Sequence, residues 1–219
     1  MLTDEQRDSY GSPPEVYRYL DRRFHFVADM AASDENHLHP TTWFTKERSC
    51  LSFSWADHLE KHCNVKRWGV ASLAAAHEDT NSPSIRRFFK RKLDVTTTTT
   101  QSSKIYDVAG VPPFVYLNPP YSMPGEFLAK CAHECIEGGI GSVVLLKEQD
   151  GELYWAEHVA EKAAEVILIT GRLSFIHPVT KTPKQGNNFG STLVIYDPRH
   201  VPGTPVVASW LSRQAFYAL

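Results

Sequence analysis

Hydrophobic positions fall into short continuous runs in the second half of the 219-residue chain and into mixed or amphipathic stretches in the first half. From Phe114 the order is regular. The run FVYL predicts a buried strand over 114–117, a helical period crosses about 124–137 and stops at Gly138-Gly139, and the next apolar run predicts a strand over 142–146. A helix over 152–163, a strand over 165–170 (EVILIT) and a strand over 191–196 (STLVIY) continue the pattern. Such alternation requires a central, mostly parallel sheet with helices on both faces, which is why the strands are apolar throughout rather than at every second residue.

The first half reads differently. Ser12-Pro13-Pro14-Glu15 predicts a helix start, with a Ser cap, a proline at the first helical position and an acid three residues after the cap. Val16, Tyr19 and Leu20 supply the apolar stripe of that short helix, and Phe24 to Asp29 predicts a buried strand ending in an acid. The β-branched and aromatic run TTWFT predicts a second strand at 41–45. Residues 56–110 show no sustained strand pattern and contain the run Thr96 to Thr100, so they read as an insertion between a part at 1–55 and a part at 111–219. In α/β sheets ligands sit beyond the carboxyl ends of the strands. Two such ends carry unusual chemistry: Asp29-Met30-Ala31-Ala32-Ser33, and Asn118-Pro119-Pro120-Tyr121.

Composition changes this picture little, except in the distribution of charge. With 42% hydrophobic, 11% aromatic and 22% charged residues the chain should fold, which excludes a disordered, collagenous or coiled-coil protein. No apolar stretch approaches the roughly 18 to 20 residues that cross a bilayer, and the beginning MLTDEQRDSY lacks the basic flank and apolar centre of a signal peptide. A soluble, cytoplasmic protein is expected. Cys50, Cys63, Cys131 and Cys135 are too few and too irregular for a disulfide framework and read mostly as core thiols. The net charge is only 23 − 25 = −2, yet residues 61–104 hold nine Lys or Arg against three acids, a local +6. Within it, Ser84 to Lys92 mixes Arg86, Arg87, Lys90, Arg91 and Lys92 with Phe88 and Phe89. That is a segment able to neutralise several phosphates, or a solvated helix anchored by two aromatic rings. The polar loop from His177 to Gly190 is a second candidate nucleic-acid edge. His58 and His62 with Cys63 and Cys50 suggest zinc only weakly, since no C-x-x-C pair accompanies them, and no metal is expected. P-loop, G-x-S-x-G and H-E-x-x-H patterns are missing from the sequence, which removes support for hydrolases.

The segment from Phe114 to Ser122 carries the chemistry. Two prolines fix φ and remove two backbone donors, leaving rigid carbonyls beside the Asn118 amide oxygen, a pair of acceptors suited to an amine. Tyr121 adds a flat face for a planar group. Holding both hydrogens of a conjugated amine would draw its nitrogen toward tetrahedral geometry and free its lone pair for attack on an activated methyl group. A plain proline-rich turn is the alternative reading.

N-P-P-Y at this place resembles the catalytic motif of S-adenosylmethionine-dependent amino-methyltransferases, and the surrounding chain is similar to the phage-type (Dam) DNA adenine methyltransferases. Tyr10 to Pro14, Phe26 to Ser33 with Asn36, Leu51, Trp55, Leu117 to Ser122, Phe127, Lys130, Leu145-Leu146, Trp155, Gly171 to Phe175 and Gly190 to Tyr196 carry the resemblance; residues about 56–110 do not. It implies a Rossmann-like class I methyltransferase with a mostly parallel seven-stranded sheet, DNA as partner, and methylation of a flipped adenine that shields phage DNA from restriction. It also implies roles. Asn118 and the Pro119 carbonyl, on the rigid Pro119-Pro120 turn, would hold the amine, and Tyr121 would stack on the base. Tyr10, Ser12, Pro13 and Pro14 would line the methionine end of the cofactor, with Asp29, Ala31, Ala32 and Asn118 contacting it. Ser122, Arg172 and the basic insertion, placed where a target-recognition region lies, would meet DNA. Two departures from the family pattern stand out: M-A-A-S replaces a glycine-rich turn after the first strand, and Ser49-Cys50 stands where an acid would precede Leu51. Methylation of RNA or of a protein glutamine, and a non-catalytic DNA- or cofactor-binding phage protein, are the competing readings.

Overall fold

A computed structural model describes residues 3–65, 68, 111–148, 152–184 and 188–218. The basic run from Arg86 to Lys92 lies outside them, as do Gln185 and Asn187 of the polar loop.

The described strands are β1 (Phe26–Asp29), β2 (Phe114–Leu117), β3 (Gly141–Lys147), β4 (Glu165–Thr170), β5 (Ser191–Tyr196) and β6 (Val207–Ser212). They form one sheet in the order β1-β2-β3-β5-β4-β6. β1, β2 and β3 are parallel neighbours, β4 is parallel to β6, and β5 runs antiparallel to both β3 and β4. Five of the six described strands therefore point the same way.

The sheet has six described strands where the family resemblance implies seven. TTWFT does not form one: Trp43 makes a single parallel bridge to Asp29, flanked by hydrogen bonds from Asp29 N to the Thr42 carbonyl and from Phe44 N to the Asp29 carbonyl. Beyond it the Phe44 carbonyl accepts Ala32 N, and no further residue of the run is paired, so the contact remains an isolated bridge. β6, an edge strand with most of its residues exposed, is the element the periodicity does not reveal.

The alternation of side chains explains the continuous apolar runs. Val115, Leu117, Val144, Leu146, Val194 and Tyr196 enter one core cluster, while Phe114, Tyr116, Val143, Leu145, Leu193 and Ile195 enter the other. Helices cover both faces. On the first pack α3 (Trp55–Cys63) and α4 (Pro124–His133), burying Trp55, Leu59, Leu128 and Cys131. On the second packs α2 (Pro14–Phe24), through Val16, Tyr17, Leu20 and Phe24. The boundary drawn at residue 55 thus falls at the start of a helix whose Trp55, Ala56 and Leu59 are core.

α2 begins at Pro14, but Pro13 occupies the cap position and no side chain caps it; the hydroxyl of Ser12 is engaged elsewhere. Phe24 ends this helix rather than opening a strand, because His25 turns left-handed (φ 49°) and the Asp21 carboxylate accepts Phe26 N. α4 continues into a wider π-type turn over Glu134–Gly138 and ends at Gly139, whose φ of 67° suits glycine. A Cβ there would also lie 2.1 Å from the Trp68 carbonyl. The helix expected over 152–163 shrinks to a short helical segment with a π-type turn at Trp155–Val159. None of the four cysteines forms a disulfide; Cys50, Cys131 and Cys135 are buried. The rings of His58 and His62 meet at a tilt, 4.5 Å apart, and His58 also meets Phe53; no cluster of three metal-ligating groups exists among the described residues.

Candidate active site

A cavity of about 840 Å³ opens at the carboxyl ends of β1 and β2, lined by both of the segments singled out above and by residues 8–12 and 44–51. Tyr10, Ser12, Asp29, Ala31, Ala32, Asn118, Pro120 and Ser122 all line it. Pro13, Pro14, Pro119 and Tyr121 do not.

β1 brings Asp29 to the floor, paired in register with Tyr116 of β2. The side chain is buried, and its two oxygens accept Leu38 N (3.1 Å) and Ala31 N (3.4 Å). Burial pushes its carboxyl up to about 6 against the pull of those two amides. The small residues after it let the chain fold back, and Ala32 N bonds to the Phe44 carbonyl, so alanines serve where a glycine-rich turn would otherwise stand.

β2 delivers Asn118. Phe114, Tyr116 and Asn118 share one face of the strand by period two, and that face meets the segment Tyr10–Ser12. Asn118 Nδ2 donates to the Tyr10 carbonyl at 2.8 Å. This fixes the amide and leaves Oδ1 shielded from solvent with no hydrogen-bond partner among the described residues. An acceptor in that condition costs about 1–3 kcal/mol until a donor arrives. The Pro120 carbonyl accepts Met123 N, whereas no backbone donor among the described residues uses the Pro119 carbonyl. Two acceptors, one amide and one main-chain, are thus left without a donor among the described residues.

Tyr121 turns away from this cavity and sets its ring edge-on to Phe175 at 6.3 Å, forming an aromatic corner next to it. Its hydroxyl pKa is raised, chiefly by burial and then by Tyr10 and Asp8 nearby. Ser122 is exposed, and both of its donors are taken: N and Oγ each bond to the carboxylate of Asp8. Asp8, at the end of α1 (Asp4–Asp8), is a site residue that sequence reasoning missed; no motif marks it, and only the fold joins positions 114 apart. Glu47 was missed as well. Thr45 Oγ1 donates to its carboxylate (2.8 Å) and holds it below the usual range, an ionised acceptor on the cavity wall for ligand hydroxyls.

The polar loop is tied to the same place. Gly11 and Ile176 exchange backbone hydrogen bonds, and Lys184 Nζ donates to the Tyr10 hydroxyl (2.9 Å) while lying 5.1 Å from its ring. Arg172 is exposed and outside the cavity; its carbonyl accepts Arg213 NH1 at 2.8 Å.

Comparison with known proteins bears on this site. The model of the family described as DNA N-6-adenine-methyltransferase (Dam) matches residues 67–217, more than half of the chain and including Asn118 to Ser122. The DNA N-6-adenine-methyltransferase of Escherichia phage T1 is 25% identical over 208 residues, which cover 88% of this chain and 63% of that protein. The protein of the same name from Haemophilus phage HP1 (strain HP1c1) is 30% identical over 87 residues, 39% of this chain and 50% of the relative. The chain thus spans less than two thirds of the length of these relatives. No solved structure matches it. A family match running through the strand end where Asn118, with an unpartnered buried amide oxygen among the described residues, lines a ligand-sized cavity leads to one conclusion: the chain belongs to the DNA N-6-adenine-methyltransferase (Dam) family.

Proposed function

We propose that the protein transfers a methyl group from S-adenosylmethionine to the exocyclic N6 amine of an adenine in DNA, on a Rossmann-like class I methyltransferase sheet. The observation that carries this reading is Asn118: one end of its amide is anchored on the Tyr10 carbonyl and the other end is a buried acceptor without a partner among the described residues. The names of the phage T1 and HP1 relatives support adenine in DNA as the acceptor.

The residues present fit the donor. The cavity is large enough for a nucleoside with an amino-acid arm, Asp29 offers a carboxylate to an ammonium group, and Glu47 offers one to sugar hydroxyls. S-adenosylmethionine supplies, when bound, a methyl group made electrophilic by its sulfonium. The work of the chain is to prepare the nucleophile. Asn118 Oδ1 and the Pro119 carbonyl accept the two N6 hydrogens, which withdraws the nitrogen lone pair from conjugation and aims it. The prolines keep both acceptors rigid, so little reorganisation is needed on binding. The adenine is swung out of the duplex to reach them, and Tyr121, backed by Phe175, supplies the aromatic wall for it. Backbone phosphates are met by Arg86, Arg87, Lys90, Arg91 and Lys92 of the insertion, with Arg172 and the 177–190 loop as further DNA contacts.

The test is transfer of tritiated methyl from S-adenosylmethionine to unmethylated duplex DNA, to RNA and to a glutamine-containing peptide, followed by digestion and chromatography. Label in N6-methyldeoxyadenosine, lost in Asn118→Ala, is the expected result. Label confined to RNA or peptide, or no label in any substrate, contradicts the proposal.

A further inference from the structure

Tyr116 is nearly fully buried, at 1% exposure, and by position looks like ordinary core. Its ring stands edge-on to Tyr17 at 5.2 Å and tilts against Phe26 at 5.4 Å. Phenylalanine would fill that place equally well, so the hydroxyl calls for a separate reason. It donates a 2.8 Å hydrogen bond to Ser12 Oγ, 104 residues away and on the cavity wall.

The direction of that bond decides what Ser12 can do. A hydroxyl that accepts from Tyr116 keeps its own proton for another acceptor, and no acceptor among the described residues takes it. Ser12 is released from its expected duty as a helix cap, since Pro13 occupies that position without a side-chain bond. It is 5% exposed and lines the cavity, so its proton is free to reach whatever the cavity holds, water or a bound ligand. Asp29 on β1 pairs in register with Tyr116 on β2, and Asp29 and Ser12 line the same cavity. A carboxylate acceptor and a hydroxyl donor therefore sit near one another, the pair that the ammonium and carboxylate of an α-amino acid require. Two positions on, just past the end of β2, Asn118 donates to the Tyr10 carbonyl, so β2 and the residue after it hold both ends of the Tyr10–Ser12 segment.

We infer that Tyr116 is a positioning residue: its hydroxyl orients Ser12 Oγ so that the serine proton points at the carboxylate of the methyl donor's amino-acid arm. This rests on the donor assigned in the proposed function.

Isothermal titration calorimetry on the full chain tests it, with S-adenosylmethionine and with decarboxylated S-adenosylmethionine as probes. Tyr116→Phe and Ser12→Ala should each weaken S-adenosylmethionine about five- to tenfold, a conversion of the ~1 kcal/mol of one hydrogen bond. The double variant should be no weaker than Ser12→Ala alone, and neither substitution should alter the affinity of the decarboxylated compound. A merely structural role for the Tyr116 hydroxyl would affect both probes alike. Equal losses for the two probes, or wild-type affinity in Tyr116→Phe, overturn the inference while wild-type binding leaves the proposed function standing. Failure of the wild-type protein to bind S-adenosylmethionine overturns both.

Discussion

The proposed function rests its chemistry on Asn118 and Asp29, and each makes a measurable prediction. In the proposed function Asn118→Ala removes a rigid acceptor for the reacting nitrogen, and a preorganised polar group of this kind is worth about 10²–10³ in kcat. Single-turnover methylation should fall by that amount while near-ultraviolet circular dichroism stays native. Asp29 predicts a pH effect. Its carboxyl titrates at about 6 in the folded protein against 3.8 ordinarily, so the folded state holds this proton more tightly than the unfolded chain. The stability it contributes is complete below about pH 4 and is lost as pH rises through about 6, a change of about 3 kcal/mol at 1.36 kcal/mol per unit. Urea denaturation between pH 4 and 7 should show that decline in the wild type and a flatter curve in Asp29→Asn; an unchanged slope in the variant would remove Asp29 as its source. Conversely, affinity for a cationic donor should weaken as pH falls below about 6, when Asp29 becomes neutral. Both residues were legible in the sequence, because strand ends with Asp or with Asn-Pro-Pro are local patterns. Asp8 and the Tyr116 hydroxyl were not, because a carboxylate bound to Ser122 and a core tyrosine bound to Ser12 acquire meaning only once distant segments meet.

Among the elements, the strands at 114–117, 165–170 and 191–196 stand where their apolar runs put them, and the one predicted at 142–146 extends to Gly141–Lys147. Runs buried on both faces are unmistakable. The weaker readings failed for identifiable reasons. TTWFT has the right residue types, but its rings and hydroxyls bond locally and only Trp43 bridges to Asp29. VASWLS is an edge strand whose mostly exposed pattern carries little signal. The helical period of α4 runs unbroken to 137, but its last turn widens at Glu134–Gly138. That turn contains a buried ion pair, Lys130 Nζ to Glu134 Oε1 at 2.8 Å, with the same ammonium donating to the Phe53 carbonyl at 2.6 Å. Glu134 is 2% exposed, so Glu134→Ala leaves a largely buried cation short of its counter-charge and should cost about 3 kcal/mol in urea unfolding. The pair Lys130→Met with Glu134→Leu should recover most of that loss; if Glu134→Ala proves neutral, the ion pair does not hold this turn.

For the whole molecule, the sheet gathers the turn that begins at Asn118, the acid that ends β1 and the Tyr10–Ser12 segment around one cavity, while charge is segregated into 61–104. The basic insertion is conspicuous in the sequence because nine cations meet three acids there, but its placement lies outside the described residues. Replacing Arg86, Arg87, Lys90, Arg91 and Lys92 with Gln should weaken duplex binding and flatten the dependence of log Kd on log salt by about 0.9 for each phosphate that is no longer neutralised. Fluorescence anisotropy across a salt series measures this, and an unchanged slope would place the DNA surface elsewhere. The central claim, that the orphaned Asn118 acceptor serves to methylate adenine, is tested most directly in a host lacking adenine methylation. DNA from cells expressing the protein should carry N6-methyladenine by nucleoside mass spectrometry, and DNA from cells expressing Asn118→Ala at the same level should not. Unmodified adenine in the first culture, or equal modification in both, would contradict the account.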